Sequence, residues 1–320
     1  MKALVTGICG FAGSHLADLL LAEGAEVSGT VFPGEPTVNI QYIGDRLTLR
    51  EVDLTDVQAV ERVMEDLEPS AVYHLAGLSS VSQTWGRVDS VLRVNALGMV
   101  NLVKAAGNIG KPPVLVVGSG EMYGSVNEGE QPISEEAPMN PVSPYALSKV
   151  WQEEAAGYFM RVAGYPLIIT RPFNHTGPRQ STRFVCSDFA CQLALMEAGK
   201  TEPVLRVGNL KARRDFLDVR DVVSAYRLAM DRALPGVPYN IASGNPYSIR
   251  DILDMLLSRC RVKVEVSVEE ERLRPLDVPL LSGDSGRFMK ETGWAPARGL
   301  EETLDDLLSH WRGAQGKGDD

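Results

Sequence analysis

The chain opens on an apolar run, Ala3 to Thr6. A glycine-punctuated turn follows, then an amphipathic stretch from about Phe11 that carries Leu16, Leu19 and Leu20. This is the pattern of a strand, a tight turn and a helix. The alternation continues: Val27 to Val31, Leu47 to Val52, Ala71 to Leu75, Val114 to Val117 and Leu167 to Thr170 are apolar runs of strand length. Between them lie helical patterns, one capped by Asp56 and running to about Asp66, one over about Val88 to Asn108, and one over Pro144 to Arg161. Short buried strands alternating with helices predict βαβ units, hence an α/β fold with a doubly wound, Rossmann-type parallel sheet.

After Thr170 the pattern loosens. Asn174 to Arg183 is polar and turn-rich, and a helix is expected near Phe184 to Ala198. A short strand at Val204 to Val207, a helix at Val219 to Asp231 and a sheet strand at Tyr239 to Ala242 follow. Beyond Ser243 the chain reads as a helix (Ile249 to Arg259), a strand (Lys263 to Val266), a proline-rich segment (Arg274 to Pro279) and two more helices. The expected organisation is a dinucleotide-binding domain from residues 1–174 with a returning segment at about 217–243. A smaller substrate lobe takes about 175–216 and 244–313, and 314–320 is a frayed tail. The cleft should lie between the two, at the carboxyl ends of the parallel strands.

The first turn carries candidate chemistry. Gly7, Gly10 and Gly13 form a G-x-x-G-x-x-G spacing. Backbone without side chains can approach a pyrophosphate there, and the N–H groups and dipole at the helix start favour the anion. A turn that merely closes is the bland alternative, but its place between an apolar strand and an amphipathic helix argues for a ligand.

Composition narrows the partners. Of 320 residues, 23% are charged and 44% apolar, and the net charge is −10 with no basic tract. A nucleic acid or an anionic membrane is therefore not the expected partner. No apolar run approaches a membrane span, and the start directly on a strand does not read as a signal peptide. Cys9, Cys186, Cys191 and Cys260 show neither metal spacing nor a disulfide framework, which suits a reducing cytoplasm.

Tyr145 and Lys149 lie four apart at the start of a helix that Pro144 opens, so they share a face. A nearby ammonium favours a phenolate, so the pairing predicts a lowered Tyr145 pKa. A three-unit shift needs roughly 4 kcal/mol of differential stabilisation. Ser119 follows the fifth strand, in Gly118-Ser119-Gly120-Glu121, at the expected mouth of the cleft. A hydroxyl there can hold a carbonyl oxygen and share a proton path with Tyr145.

The glycine turn, Ser119 and the Tyr145/Lys149 pair, in that order, resemble the extended short-chain dehydrogenase/reductase superfamily. The resemblance implies that Ser119, Tyr145 and Lys149 are the catalytic set. It implies that Gly7, Gly10, Phe11, Gly13, Asp53, Leu54, Leu75, Ala76, Asn95, Tyr145 and Lys149 hold a nicotinamide dinucleotide. Further motifs resemble the nucleotide-sugar branch: Arg171-Pro172-Phe173-Asn174-His175-Thr176-Gly177-Pro178, Arg213-Arg214-Asp215-Phe216, and Leu273-Arg274-Pro275. They look most like the GDP-sugar subgroup of 4,6-dehydratases and 4-reductases. The resemblance implies substrate contacts at Ser79, Asn174, Arg179, Val185, Arg214 and Arg274. Ser79 also reads as a plain loop serine, and some of the arginines as ordinary surface residues.

Two reactions fit that subgroup. In the dehydratases the resemblance places a C5 base at Glu121, usually after a polar residue and near a Thr at the Ser119 position. Here Gly120 precedes Glu121, and Ser119 is a serine. The second strand ends in Thr30-Val31-Phe32-Pro33-Gly34, with neither an arginine for a 2′-phosphate nor an acid for a ribose. The expectation is therefore reduction of a GDP-linked 4-keto sugar, with NADP or NAD as cofactor, NADPH slightly favoured, and no metal. A 4,6-dehydratase, a nucleotide-sugar epimerase and a non-catalytic nucleotide binder are the alternatives. The superfamily commonly forms homodimers through the helices near 88–108 and 144–161, where Val91, Val94, Met99, Val150, Phe159 and Met160 are apolar. A buried core face explains those residues equally well.

Overall fold

A computed structural model describes residues 1–273 and 276–315, with side chains at all of these except 82 and 83. The first half runs β1 (Lys2–Thr6), α1 (Phe11–Ala22), β2 (Glu26–Val31), β3 (Leu47–Glu51), α2 (Val57–Leu67), β4 (Ala71–His74), α3 (Val81–Thr84), α4 (Val88–Leu92), α5 (Gly98–Asn108), β5 (Val114–Val117), α6 (Pro144–Ala163) and β6 (Leu167–Pro172). It continues with β7 (Asn174–Thr176), α7 (Val185–Glu197), β8 (Val204–Val207), β9 (Arg213–Asp218), α8 (Val219–Arg232) and β10 (Pro238–Ile241). The last elements are β11 (Pro246–Ser248), α9 (Ile249–Ser258), β12 (Glu265–Val268), β13 (Leu280–Leu281), α10 (Gly286–Thr292) and α11 (Leu300–Gln315).

Seven of these strands form one parallel sheet in the order β10-β6-β5-β4-β1-β2-β3. Winding reverses between β1 and β4, and that switch point opens a crevice at the strands' carboxyl ends. The central strands β1, β4, β5 and β6 are covered on both faces and read as near-continuous apolar runs, while the edge strand β3 is only partly covered. Val5 packs with Leu16, Leu20, Val222 and Tyr226 from α1 and α8. Leu4, one residue earlier and on the opposite face, packs with Val60, Met64, Leu102 and Val103 from α2 and α5. Each such side chain contributes roughly 1.5–3 kcal/mol by leaving water. A third cluster draws on the second half of the chain: Phe189 and Leu193 of α7, Ile252 and Leu256 of α9, and Leu304 and Leu308 of α11.

Local signals set the boundaries. Asp56 accepts from the Ala59 N–H at 3.1 Å and starts α2. Ser143 accepts from the Ala146 N–H at 3.1 Å to start α6, and Gly164, at φ +59°, ends it. Two expectations change. The helix expected over 88–108 is interrupted by a wider π turn at Arg93–Leu97. The polar stretch from Asn174 contains β7, which pairs with β9, and β9 in turn pairs with β11 and β13. None of β7, β9 and β11 shows an apolar run.

β9 tolerates its charges because the carboxylates are struts. Asp215 is fully buried and accepts four bonds: from the Ser243 N–H (2.9 Å), the Ser243 hydroxyl (2.6 Å), the Gly244 N–H (2.8 Å) and the Gly283 N–H (3.2 Å). It joins β9 to the turn after β10 and to the segment after β13. Asp221 likewise accepts from the N–H groups of Ala297 and Arg298 and from the Arg298 guanidinium. Replacing Asp215 by Ala leaves the buried Gly283 N–H and the partly buried Ser243 and Gly244 N–H groups without their acceptor, and a loss of roughly 3 kcal/mol is expected. Denaturant unfolding checks this: a midpoint unmoved in Asp215→Ala would remove the strut role.

Candidate active site

The switch point holds a cavity of about 920 Å³, which runs from the end of β2 past the glycine turn to Tyr145. Its floor is made by close backbone approach. Gly7 sits at φ +68°, and a Cβ there would lie 2.8 Å from the Ala76 Cα. A Cβ at Gly13 would lie 2.2 Å from the Gly7 carbonyl oxygen. Gly10 caps α1 without any side-chain bond, so the first amides of that helix are left for an anion. Phe11 stacks on His175 with ring centroids 5.8 Å apart and closes the substrate-side wall. Length, glycine floor and uncapped helix start together fit a dinucleotide whose pyrophosphate lies over α1.

At the other end, Ser119 is the last residue before a one-turn 3₁₀ helix at Gly120–Tyr123, and its hydroxyl accepts from the Glu121 N–H at 3.2 Å. The same hydroxyl lies near that of Tyr145 and favours its charged form. Lys149, one turn along α6, is 6% exposed. It donates to the Val117 carbonyl (2.8 Å) and to Gln152 Oε1 (3.0 Å). Burial pushes its amine down to about 8. Tyr145 departs from expectation. Its pKa is pushed up to about 12, because burial and the nearby Glu121 charge outweigh the lowering effect of the Ser119 hydroxyl. Lys149 faces the tyrosine ring, 6.0 Å from its centroid, while its protons go to Val117 and Gln152. Tyr145 is thus held as a proton donor at neutral pH.

Most residues expected at the site line this one cavity: the three glycines, Phe11, Asp53, Leu54, Leu75, Ala76, Ser79, Ser119, Glu121, Tyr145, Lys149 and Asn174. Asp53 spends one oxygen on the Thr55 N–H at 2.8 Å. The side-chain oxygen of Asn174 is buried without a partner, so it is available to a ligand donor.

Four expected residues are not brought to the cavity wall. Asn95 is fully buried behind it, bridging both backbone groups of Leu78 (2.8 and 3.2 Å) to the Ser148 hydroxyl (2.8 Å). It therefore positions the loop after β4 against α6. Arg179 is tied to Asp18 (2.8 Å), His15 and Tyr42, and Arg214 to Asp277 (2.7 Å) and the Val278 carbonyl. Val185 opens α7 away from the wall. Arg274 lies outside the described residues.

Sequence reading missed other lining residues: Glu35, Arg87, Arg93 and Tyr226. Arg183 also lines the cavity. Arg87, Arg93 and Arg183 form no ion pair among the described residues, which makes them the arginines free to meet a phosphate.

A doubly wound parallel sheet whose switch point joins a glycine cradle to a Ser–Tyr–Lys set defines an oxidoreductase of the extended short-chain dehydrogenase/reductase type. The family model for GDP-mannose 4,6 dehydratase matches residues 4–307, and the chain belongs to that family. It is 33% identical over 311 residues to the GDP-6-deoxy-D-mannose reductase of Pseudomonas aeruginosa, with 97% of each chain covered. A solved structure of RMD from Pseudomonas aeruginosa complexed with NADPH superimposes with a TM-score of 0.84 at 31% identity, over 98% of this chain and 100% of that one. UDP-glucose 4-epimerase of Thermus thermophilus in complex with NAD gives a TM-score of 0.87 at 30% identity, over 98% and 100%. No helix among the described residues is long and apolar enough to cross a membrane.

The buried amine of Lys149 gives a direct test. After reductive methylation with a carbon-13 label, one lysine should titrate near pH 8, well below its neighbours, and Lys149→Arg should delete that resonance. Titration of every lysine near its ordinary value would overturn the burial argument.

Proposed function

We propose that this chain reduces the C4 keto group of a GDP-linked 4-dehydro-6-deoxy-mannose-type sugar with NADPH or NADH, a step of deoxysugar synthesis in the cytoplasm. The observation that carries the reading is Tyr145, held protonated beside Ser119 inside the cavity that Asn174 and the glycine turn also line. The kinship with GDP-6-deoxy-D-mannose reductase supports the substrate class.

Residues 1–174 and about 217–243 then hold the cofactor, and the remainder holds the nucleotide sugar. When bound, the nicotinamide cofactor supplies the hydride that C4 receives. The glycine turn and the first amides of α1 bind its pyrophosphate. Asp53, Leu54, Leu75 and Ala76 flank the rest. Tyr145 gives its proton to the C4 oxygen while the Ser119 hydroxyl holds that oxygen. The Lys149 cation steadies the charge left on Tyr145. Asn174 and the unpaired Arg183 take the diphosphate, with Ser79 near the sugar.

A 4,6-dehydratase is the second reading, favoured by one observation: the Glu121 carboxylate lines the cavity close enough to Tyr145 to act on its charge. Such an enzyme needs a base there to take the C5 proton.

The test mixes purified protein with the GDP-linked keto sugar and NADPH, then NADH, and follows the nicotinamide absorbance. Consumption of reduced cofactor is expected. Tyr145→Phe should slow turnover by roughly 10²–10⁴-fold with binding kept. Turnover should also fall as pH rises through about 8, where Lys149 loses its proton. Keto-sugar formation from GDP-mannose with catalytic NADP would establish the dehydratase instead.

We further propose a homodimer through α4, α5 and α6. Val91 and Met99, apolar in the sequence, are buried in the core. The exposed stripe is Trp151 (54%), Tyr158 (54%) and Val162 (67%) on one face of α6, with Leu97 (54%) on the adjoining helix. Trp151→Asp with Tyr158→Asp should give monomers by light scattering. An unchanged mass would exclude this face.

A further inference from the structure

The end of β2 is the side of a switch-point cavity where an adenosine ribose is read. The first five residues there, Thr30 to Gly34, carry no charge. The structure adds what that stretch lacks. The chain turns back after Phe32: the Glu35 N–H donates to the Phe32 carbonyl at 2.8 Å, and the Phe32 N–H donates to Glu35 Oε2 at 3.1 Å. These two bonds hold the loop as a tight hook. The hook half-buries Glu35 while Phe32, Pro33 and Gly34 stay exposed, and it puts Glu35 on the cavity wall beside Thr30. One carboxylate oxygen is spent on the backbone, and Oε1 is left for a ligand.

The carboxylate also faces the glycine turn. Cys9, between Gly7 and Gly10, feels its charge: burial, and then Glu35, hold that thiol up to about 11. Asn39 fixes the same turn from the other side by donating to the Cys9 carbonyl at 3.0 Å. No lysine or arginine of β2 or of the loop after it lines the cavity. The cations that do, Arg87, Arg93, Lys149 and Arg183, come from the residue before α4, the π turn, α6 and the loop after β7.

We infer that Glu35 makes this chain select NADH over NADPH. The free carboxylate oxygen accepts from the adenosine ribose hydroxyls of NAD(H), and its charge repels the doubly ionised 2′-phosphate of NADP(H). The inference rests on the cofactor use proposed above, and it reverses the order expected from Thr30 to Gly34 alone. The two related structures do not decide it, since one is a complex with NADPH and the other with NAD.

The experiment is a titration of the purified protein with NADH and with NADPH, followed by the fluorescence of the bound nicotinamide, with no sugar present. The wild type should bind NADH at least about tenfold more tightly. Glu35→Gln keeps the shape and removes the charge. It should strengthen NADPH binding about tenfold and change NADH binding by less than about threefold. Glu35→Arg should reverse the preference. Equal or tighter NADPH binding by the wild type overturns the inference, as does an unchanged ratio in Glu35→Gln. Binding of neither cofactor removes the cofactor reading and the inference with it. Selective NADH binding without reduction of the keto sugar leaves the inference standing and sinks the reductase reading alone.

Discussion

Everything at this site depends on how closely two pieces of backbone meet where β1 and β4 end. A Cβ at Gly7 would press on Ala76, and one at Gly13 on the Gly7 carbonyl. Without those atoms, α1 can start directly over the strand end, and its unpaired amides face the crevice rather than a side-chain cap. The register of β1 on β4, Thr6 beside His74, then fixes where the β4 loop leaves the sheet. Asn95 clamps that loop to Ser148, the residue before Lys149. One steric constraint therefore sets the anion cradle and, through a single buried amide, the placement of the catalytic helix.

Burial decides the electrostatics at the far end. The pairing of Tyr145 with Lys149 predicts a phenolate stabilised by an ammonium. The structure separates the two roles. Lys149 points its protons at Val117 and Gln152, and burial weakens its hold on them, while burial makes Tyr145, beside Ser119, hold its proton more tightly. A tyrosine that keeps its proton is matched to protonating a developing alkoxide, the direction of a ketone reduction.

How far the sequence reveals this follows from what each signal is made of. Strands β1, β4, β5 and β6 are legible because both faces of the sheet are covered there, which forces continuous apolar runs. β7, β9 and β11 are not, because their polar groups are satisfied by partners far along the chain, as Asp215 is by Ser243 and Gly283. Ser119, Tyr145 and Lys149 are legible because chemistry fixes their types and spacing. Glu35 is not, because it reaches the cavity only through a backbone hook one residue past the stretch where a reader looks for a charge.

The arginines carry the same lesson in its sharpest form. A guanidinium can meet a phosphate only if nothing internal already holds it. Arg179 and Arg214 stand in the segments that resemble a nucleotide-sugar site, yet Asp18 and Asp277 neutralise them. Breaking either pair to recruit the arginine would leave a partly buried carboxylate alone, a cost of the order of 3–5 kcal/mol for a buried pair and less where Asp18 meets solvent. Arg183 carries no such debt and already lines the cavity. In a chain with a net charge of −10, most arginines among the described residues are paired with an acid. The location of an anion site is then set by which arginines the fold leaves unpaired, and that property belongs to the packed structure rather than to any motif.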